Sequence, residues 1–215
     1  MNNLPNQFFY SKKEDRLNVL SHGIGFILSF IGLIFLINKG LQNFNLTYFM
    51  SLLIYGLSLS TMYIASTLYH NSKTANSRYN LRMFDMISIY ILIAGSYTPF
   101  TLILLKDNQG WLLFAIIWLL AFFGIVWKVF TVGKYNLVTT SLYIFMGGLW
   151  LFFYESFVNQ IPSDALWWIT AGCLTYLAGV IFYLLDNKLK YNHFIWHLFV
   201  LAASGCHYIS IYFYI

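Results

Sequence analysis

The chain has 215 residues, 60% hydrophobic and 21% aromatic, with only 9% charged and a formal net charge of +5. A soluble domain carries about a quarter charged residues, and a membrane β-barrel alternates apolar and polar positions over segments of about ten; the composition argues against both. Long, nearly continuous apolar runs instead predict an all-α, polytopic membrane protein.

In chain order, the first 18 residues hold Lys12, Lys13, Glu14, Asp15 and Arg16 without an apolar core or small-residue cleavage site. They read as a short tail rather than a signal peptide, which leaves the first apolar helix as its own targeting signal. Seven runs of spanning length follow: approximately Val19 to Ile37, Leu46 to Tyr69, Met83 to Leu105, Trp111 to Val132, Leu137 to Phe157, Ala165 to Leu185, and His193 to Ile215. With no internal period, linker or low-complexity tract, residues 1–215 are expected to form a single seven-helix domain.

Orientation follows from the basic residues. Lys12, Lys13 and Arg16 in the tail, Lys73, Arg78 and Arg82 after the second run, Lys128 and Lys134 after the fourth, and Lys188 and Lys190 after the sixth lie on one face. Only Lys39 and Lys106 lie on the other. The N-terminus is therefore expected in the cytoplasm and the C-terminus outside. The positive charge is a topology signal with an attraction to anionic headgroups; no nucleic-acid motif accompanies it.

Ionisable residues inside apolar runs are costly and commonly functional. His70 ends the second run and Asp85 lies near the start of the third. His193 and His197 open the seventh, four residues apart and hence on one helical face. The topology places all four at cytoplasmic depth. Three imidazoles with an open coordination position are the arrangement of a catalytic zinc site, and imidazole suits zinc among the common ions. Ser66, one turn before His70 on the same face, is placed to hydrogen-bond a zinc-bound water or a developing oxyanion. Asp85 is placed to hold that water and accept its proton, although it could also be a ligand.

Each residue also has a structural reading. The histidines can anchor helix ends at the interface, and Ser66 can bond its own i−4 carbonyl. His22 opens the first helix at the same depth, either as a helix-start residue or as a reserve ligand or donor. His207 lies ten residues, about 15 Å of rise, beyond His197, too far to share an ion; it reads as a histidine bonded to a neighbouring helix. Cys173 and Cys206 read as small core residues without a disulfide. Pro99, within Gly95-Ser96-Tyr97-Thr98-Pro99, is expected to kink the third helix and free a carbonyl for Tyr or Thr to satisfy. Ala202-Ala203-Ser204-Gly205 reads as a close-packing patch.

Several of these segments together resemble the haemolysin III family. They are Ser66-x₃-His70, Arg82-Met83-Phe84-Asp85, Gly95 to Pro99, and His193-Phe-Ile-Trp-His197 through His207, with Glu14 to Asn18 and Ser21 to Gly25 near the start. That family belongs with the progestin and adiponectin receptors, in a wider group that includes alkaline ceramidases. The resemblance implies zinc on His70, His193 and His197, with Asp85 reaching the metal through water, Ser66 beside it, and His207 not a ligand. The receptors' long N-terminal domain is missing, which argues against hormone reception.

The expected function is a zinc-dependent hydrolase of lipid amides or esters in a cell membrane, bacterial by its short tail and loops, with a membrane lipid or fatty-acyl chain as ligand. The alternatives are a pore-forming haemolysin and a ligand-responsive sensor without turnover. A pore needs polar lining along its length, whereas the ionisable residues here crowd one end.

Overall fold

A computed structural model describes residues 10–42, 44–105, 108–186 and 190–215. The first nine residues of the expected tail, and Lys106 and Lys188 of the charge pattern, lie outside them. The helices are α1 (Lys12–Gln42), α2 (Leu46–Asn71), α3 (Ala75–Pro99), α4 (Asn108–Phe130), α5 (Asn136–Gly147), α6 (Tyr154–Gln160), α7 (Ser163–Leu184) and α8 (Asn192–Tyr214). Among the described residues, seven helical stretches are long and apolar enough to cross a membrane. Large apolar side chains such as Phe130, Phe152 and Trp167 face outward, as expected of a surface solvated by lipid. The chain is an all-α integral membrane protein.

Two helices begin earlier than the hydropathy implies, because capping side chains rather than apolar residues start them. The Ser11 hydroxyl accepts from the Glu14 N–H (3.2 Å) and the Glu14 carboxylate accepts from the Ser11 N–H (3.3 Å). This reciprocal capping box starts α1 at Lys12 rather than Val19. Thr74 accepts from the Ser77 N–H and starts α3 at Ala75 rather than Met83. Residues expected in a tail and a loop, Asp15 and Arg78 among them, therefore stand on helices.

Neighbouring helices pack in chain order from α1 to α4, α5 touches both α4 and α7, α7 packs on α8, and α8 returns onto α1. Leu52, Tyr55, Tyr90, Leu113 and Ile117, all fully buried, belong to one hydrophobic core cluster. At Gly25 of α1 the approach is tight: a Cβ there would lie 2.5 Å from the Tyr63 ring and 2.9 Å from Leu201. This glycine lets α1, α2 and α8 meet just beyond the polar residues described below.

Pro99 does not end its helix. It removes one N–H from the ladder, and the chain continues as a π-helical turn over Phe100–Leu104. Thr98 and Thr101 donate to the carbonyls of Ala94 (2.9 Å) and Tyr97 (3.0 Å). The Tyr97 hydroxyl acts elsewhere, donating to the Gly147 carbonyl (2.9 Å) and accepting from the Trp150 N–H (3.2 Å). Those groups mark a break the sequence reading did not anticipate. The expected Leu137 to Phe157 span is divided into α5, a 3₁₀ turn over Leu149–Phe153, and α6. Adjacent Gly147 and Gly148, poor helix formers, sit at the division. The Ala202 to Gly205 patch is only half packed: Ala203 and Ser204 are buried, Ala202 and Gly205 exposed, since four consecutive helical residues cannot share a face.

Candidate metal centre

The last turn of α2 and the first turns of α8 end at the same level of the bundle. They bring His70, His193 and His197 together, all three buried, with one ring nitrogen from each within 4.8 Å of the others. Two imidazoles on one tetrahedral zinc, at Zn–N of about 2.0–2.1 Å, hold their ring centroids about 5 Å apart. The observed separations are 5.0 Å for His70–His193, 5.0 Å for His70–His197 and 4.7 Å for His193–His197.

The second nitrogen of each ring is engaged from outside. His70 Nδ1 lies 3.1 Å from Asp15 Oδ1, His193 Nδ1 lies 3.2 Å from Asp186 Oδ2, and His197 Nδ1 lies 3.1 Å from Ser21 Oγ. Ser21 spends its own proton on the Asn18 carbonyl (3.0 Å), so its oxygen is left to accept. In the tautomer that carries its proton on Nδ1, each ring donates outward and keeps its Nε2 lone pair for a metal, the usual arrangement of metal-bound histidine. His70 Nε2 is buried without a hydrogen-bond partner. An unpaired buried acceptor costs about 1–3 kcal/mol, and a cation at the focus of the three rings would satisfy it. Three carboxylates surround the focus, Asp15, Asp85 and Asp186, against two guanidiniums, Arg78 and Arg82. That excess of negative charge suits a dication, and an all-imidazole donor set suits zinc.

Asp85 on α3 stands outside the group of three ligand atoms. It lies within electrostatic reach of Ser66, His193 and Arg82. His22, with both ring nitrogens buried and without a hydrogen-bond partner, is drawn to the centre by α1 but lies outside the group of three ligand atoms: its ring stacks on His197 at 3.5 Å and 11°, closer and flatter than two ligands of one ion would lie, and meets Tyr63 edge-on at 5.2 Å. His207 is elsewhere, with Nε2 3.9 Å from Cys173 Sγ of α7. Gly172 makes room for it, since a Cβ there would lie 2.3 Å from the ring. Both cysteines are free thiols.

Sequence reasoning did not assign Asp15, Asp186, Ser21 or Tyr10 to the centre. The Tyr10 hydroxyl donates to Asp186 Oδ2 (2.6 Å) and lies 3.0 Å from His193 Nδ1. Burial, then Tyr69 and Asp186, push the Tyr10 phenol well above its ordinary pKa, so it remains a neutral donor. Burial works to raise the Asp186 pKa, but hydrogen bonds from His193 and Tyr10 hold it below the usual carboxylate value. The available signal was scarcity: the chain has only 7 acidic residues, and three of them converge here.

A family model described as "Haemolysin-III related" matches residues 10–208. The chain belongs to the haemolysin III family. It is 38% identical over 203 residues to "Hemolysin-3" of Bacillus cereus, covering 94% of this chain and 92% of that protein. It is 35% identical over 205 residues to "Hemolysin-3 homolog" of Bacillus subtilis (strain 168), covering 95% and 96%. More distantly, it is 32% identical over 171 residues to "Monocyte to macrophage differentiation factor" of Homo sapiens, covering 75% and 69%. The matched region holds the whole histidine centre together with Tyr10, Asp15 and Asp186.

Proposed function

We propose that this haemolysin III family protein is a zinc-dependent hydrolase of acyl lipids, cleaving an amide or ester at the end of the bundle that the basic residues assign to the cytoplasm. The observation that carries the reading is the convergence of three buried imidazoles, each with its Nδ1 held from outside, with Asp85 within electrostatic reach of His193. Zinc bound there supplies a Lewis acid for the acyl carbonyl and a water acidic enough to attack near neutral pH.

The chain's own residues supply the remainder. His70, His193 and His197 fix the metal position, with tautomers set by Asp15, Asp186 and Ser21. Asp85 takes the proton that the attacking water loses and returns it to the leaving amine or alkoxide. One O–C bond thereby forms, one C–N or C–O bond breaks, and the proton count closes. Ser66, one turn before His70 on α2, orients the Asp85 carboxylate. The apolar outer surface keeps the protein in the bilayer, where its acyl substrates are dissolved.

The names of the Bacillus relatives, Hemolysin-3 and its homolog, favour a second reading, haemolysis, for which a pore is the plainest route. The packed core opposes it: Leu52, Tyr55, Tyr90, Leu113 and Ile117 are fully buried in one hydrophobic cluster, whereas a pore needs polar lining along its length. Both readings are tested by reconstituting purified zinc-loaded protein into sealed vesicles of ceramide and phospholipid. Fatty-acid release and leakage of an entrapped dye are followed together. Release that stops on chelation, without leakage, is the expected result. Leakage that persists after chelation would replace the hydrolase by a pore, and absence of both would leave a sensor.

A further inference from the structure

We propose that Asp15 and Asp186 are positioning residues of the metal centre, and that the segment Tyr10 to Asp15 is a strap whose docking sets how tightly the metal is held. The inference rests on the reading that the three histidines bind zinc. It concerns residues to which neither the sequence motifs nor the comparisons give a role at the metal.

The strap touches each element that the centre depends on. Asp15 Oδ1 is shared between His70 Nδ1 (3.1 Å) and the Arg78 guanidinium (2.7 Å). Arg78, almost fully buried at 1% exposure, lies over the Tyr69 ring at 4.9 Å and donates to the Ser72 carbonyl (3.3 Å). One carboxylate thus joins the start of α1, the end of α2 and the start of α3. Tyr10 does the same for the opposite side. Its ring packs on both His70 and His193, at 5.5 and 4.8 Å between centroids, while its hydroxyl holds Asp186. Between them, Glu14 Oε1 accepts the Tyr191 N–H (2.6 Å). Tyr191 has φ 66°, a left-handed conformation that an aromatic residue adopts only under constraint, and it is the residue from which α8 starts. Glu14 therefore pins the backbone that sets the direction in which His193 and His197 project.

A carboxylate on Nδ1–H fixes the tautomer and ring orientation and makes Nε2 a stronger donor; its loss commonly weakens metal affinity about 10- to 100-fold. Here one of the two carboxylates arrives on the strap and the other is held by it. Histidines from α2 and α8 converge because a third part of the chain, 55 residues from His70 and over 170 from His193, locks them in place.

The test is zinc affinity of the purified full chain, measured by competition with a chromophoric chelator, alongside the visible spectrum of the cobalt-substituted protein. Asp15→Asn and Asp186→Asn are each expected to weaken zinc binding about 10- to 100-fold while keeping a tetrahedral cobalt spectrum. His70→Ala loses that spectrum. Tyr10→Phe, which removes only a hydroxyl, is expected to weaken binding several-fold; Asp15→Glu restores part of the loss in Asp15→Asn. Asp164→Asn, at the start of α7, leaves affinity unchanged. Wild-type zinc affinity retained in both aspartate variants would overturn this inference alone. A cobalt spectrum changed in Asp186→Asn as in His193→Ala would also overturn it, by making Asp186 a ligand. A wild-type chain that binds no zinc would overturn the proposed function as well.

Discussion

His22 separates a ligand from a support by geometry, so replacing it probes whether the centre has been read correctly. Its ring lies 3.5 Å from that of His197 and nearly parallel to it, whereas the three proposed ligand rings lie 4.7–5.0 Å apart. His22→Ala therefore removes a stacked neighbour and leaves the ligand set complete. An aromatic stack contributes about 0.5–1.5 kcal/mol beyond its buried area. At 1.4 kcal/mol per factor of ten, losing it should weaken zinc binding by about two- to twelve-fold. The assay is chelator competition on detergent-purified protein, with His22→Phe as the partner variant, since phenylalanine keeps a stacking face without a metal-binding nitrogen. His22→Phe is expected to bind zinc within about twofold of wild type, and both variants should keep the cobalt spectrum of the parent. Loss of zinc in both variants, as complete as in His70→Ala, would refute the assignment and make His22 a ligand.

Asp85→Asn and Ser66→Ala are expected to retain zinc but lose lipid hydrolysis, checked by metal analysis and fatty-acid release on the same preparations; zinc lost from Asp85→Asn would make Asp85 a ligand. His207→Ala should leave zinc content unchanged by the same metal analysis, because its ring is bonded to Cys173 on α7, remote from the centre. Tyr97→Phe removes the hydroxyl that serves both Gly147 and Trp150 at the α5 break. It should destabilise the protein by about 1–3 kcal/mol in denaturant unfolding in detergent, with zinc affinity unaltered.

Composition and run length sufficed for the helices themselves, because in lipid every backbone group must be satisfied within its segment and long apolar runs have few other solutions. They could not locate the starts of α1 and α3, which depend on Ser11–Glu14 and Thr74 capping rather than on hydropathy. Nor could they locate the break at Gly147–Gly148, where a tyrosine from another helix satisfies the interrupted ladder. The candidate ligands were legible because His193 and His197 carry helical spacing within one segment and His70 shares their depth. Asp15 stood in the Glu14–Asn18 segment of the family resemblance, but within the run of charged residues beside Lys12, Lys13 and Arg16 nothing marked it as a partner of His70. Asp186 stood in a turn with no pattern to mark it. Both are recognisable only once the fold sets them against His70 and His193.

Metal content per chain tests the central claim most directly. Protein purified in detergent without added chelator should carry about one zinc ion by elemental analysis, the stoichiometry of a single three-histidine centre, and the His193→Ala/His197→Ala double variant should carry almost none. Full zinc occupancy in that double variant, or a wild-type protein that takes up no zinc when it is supplied, would contradict the account.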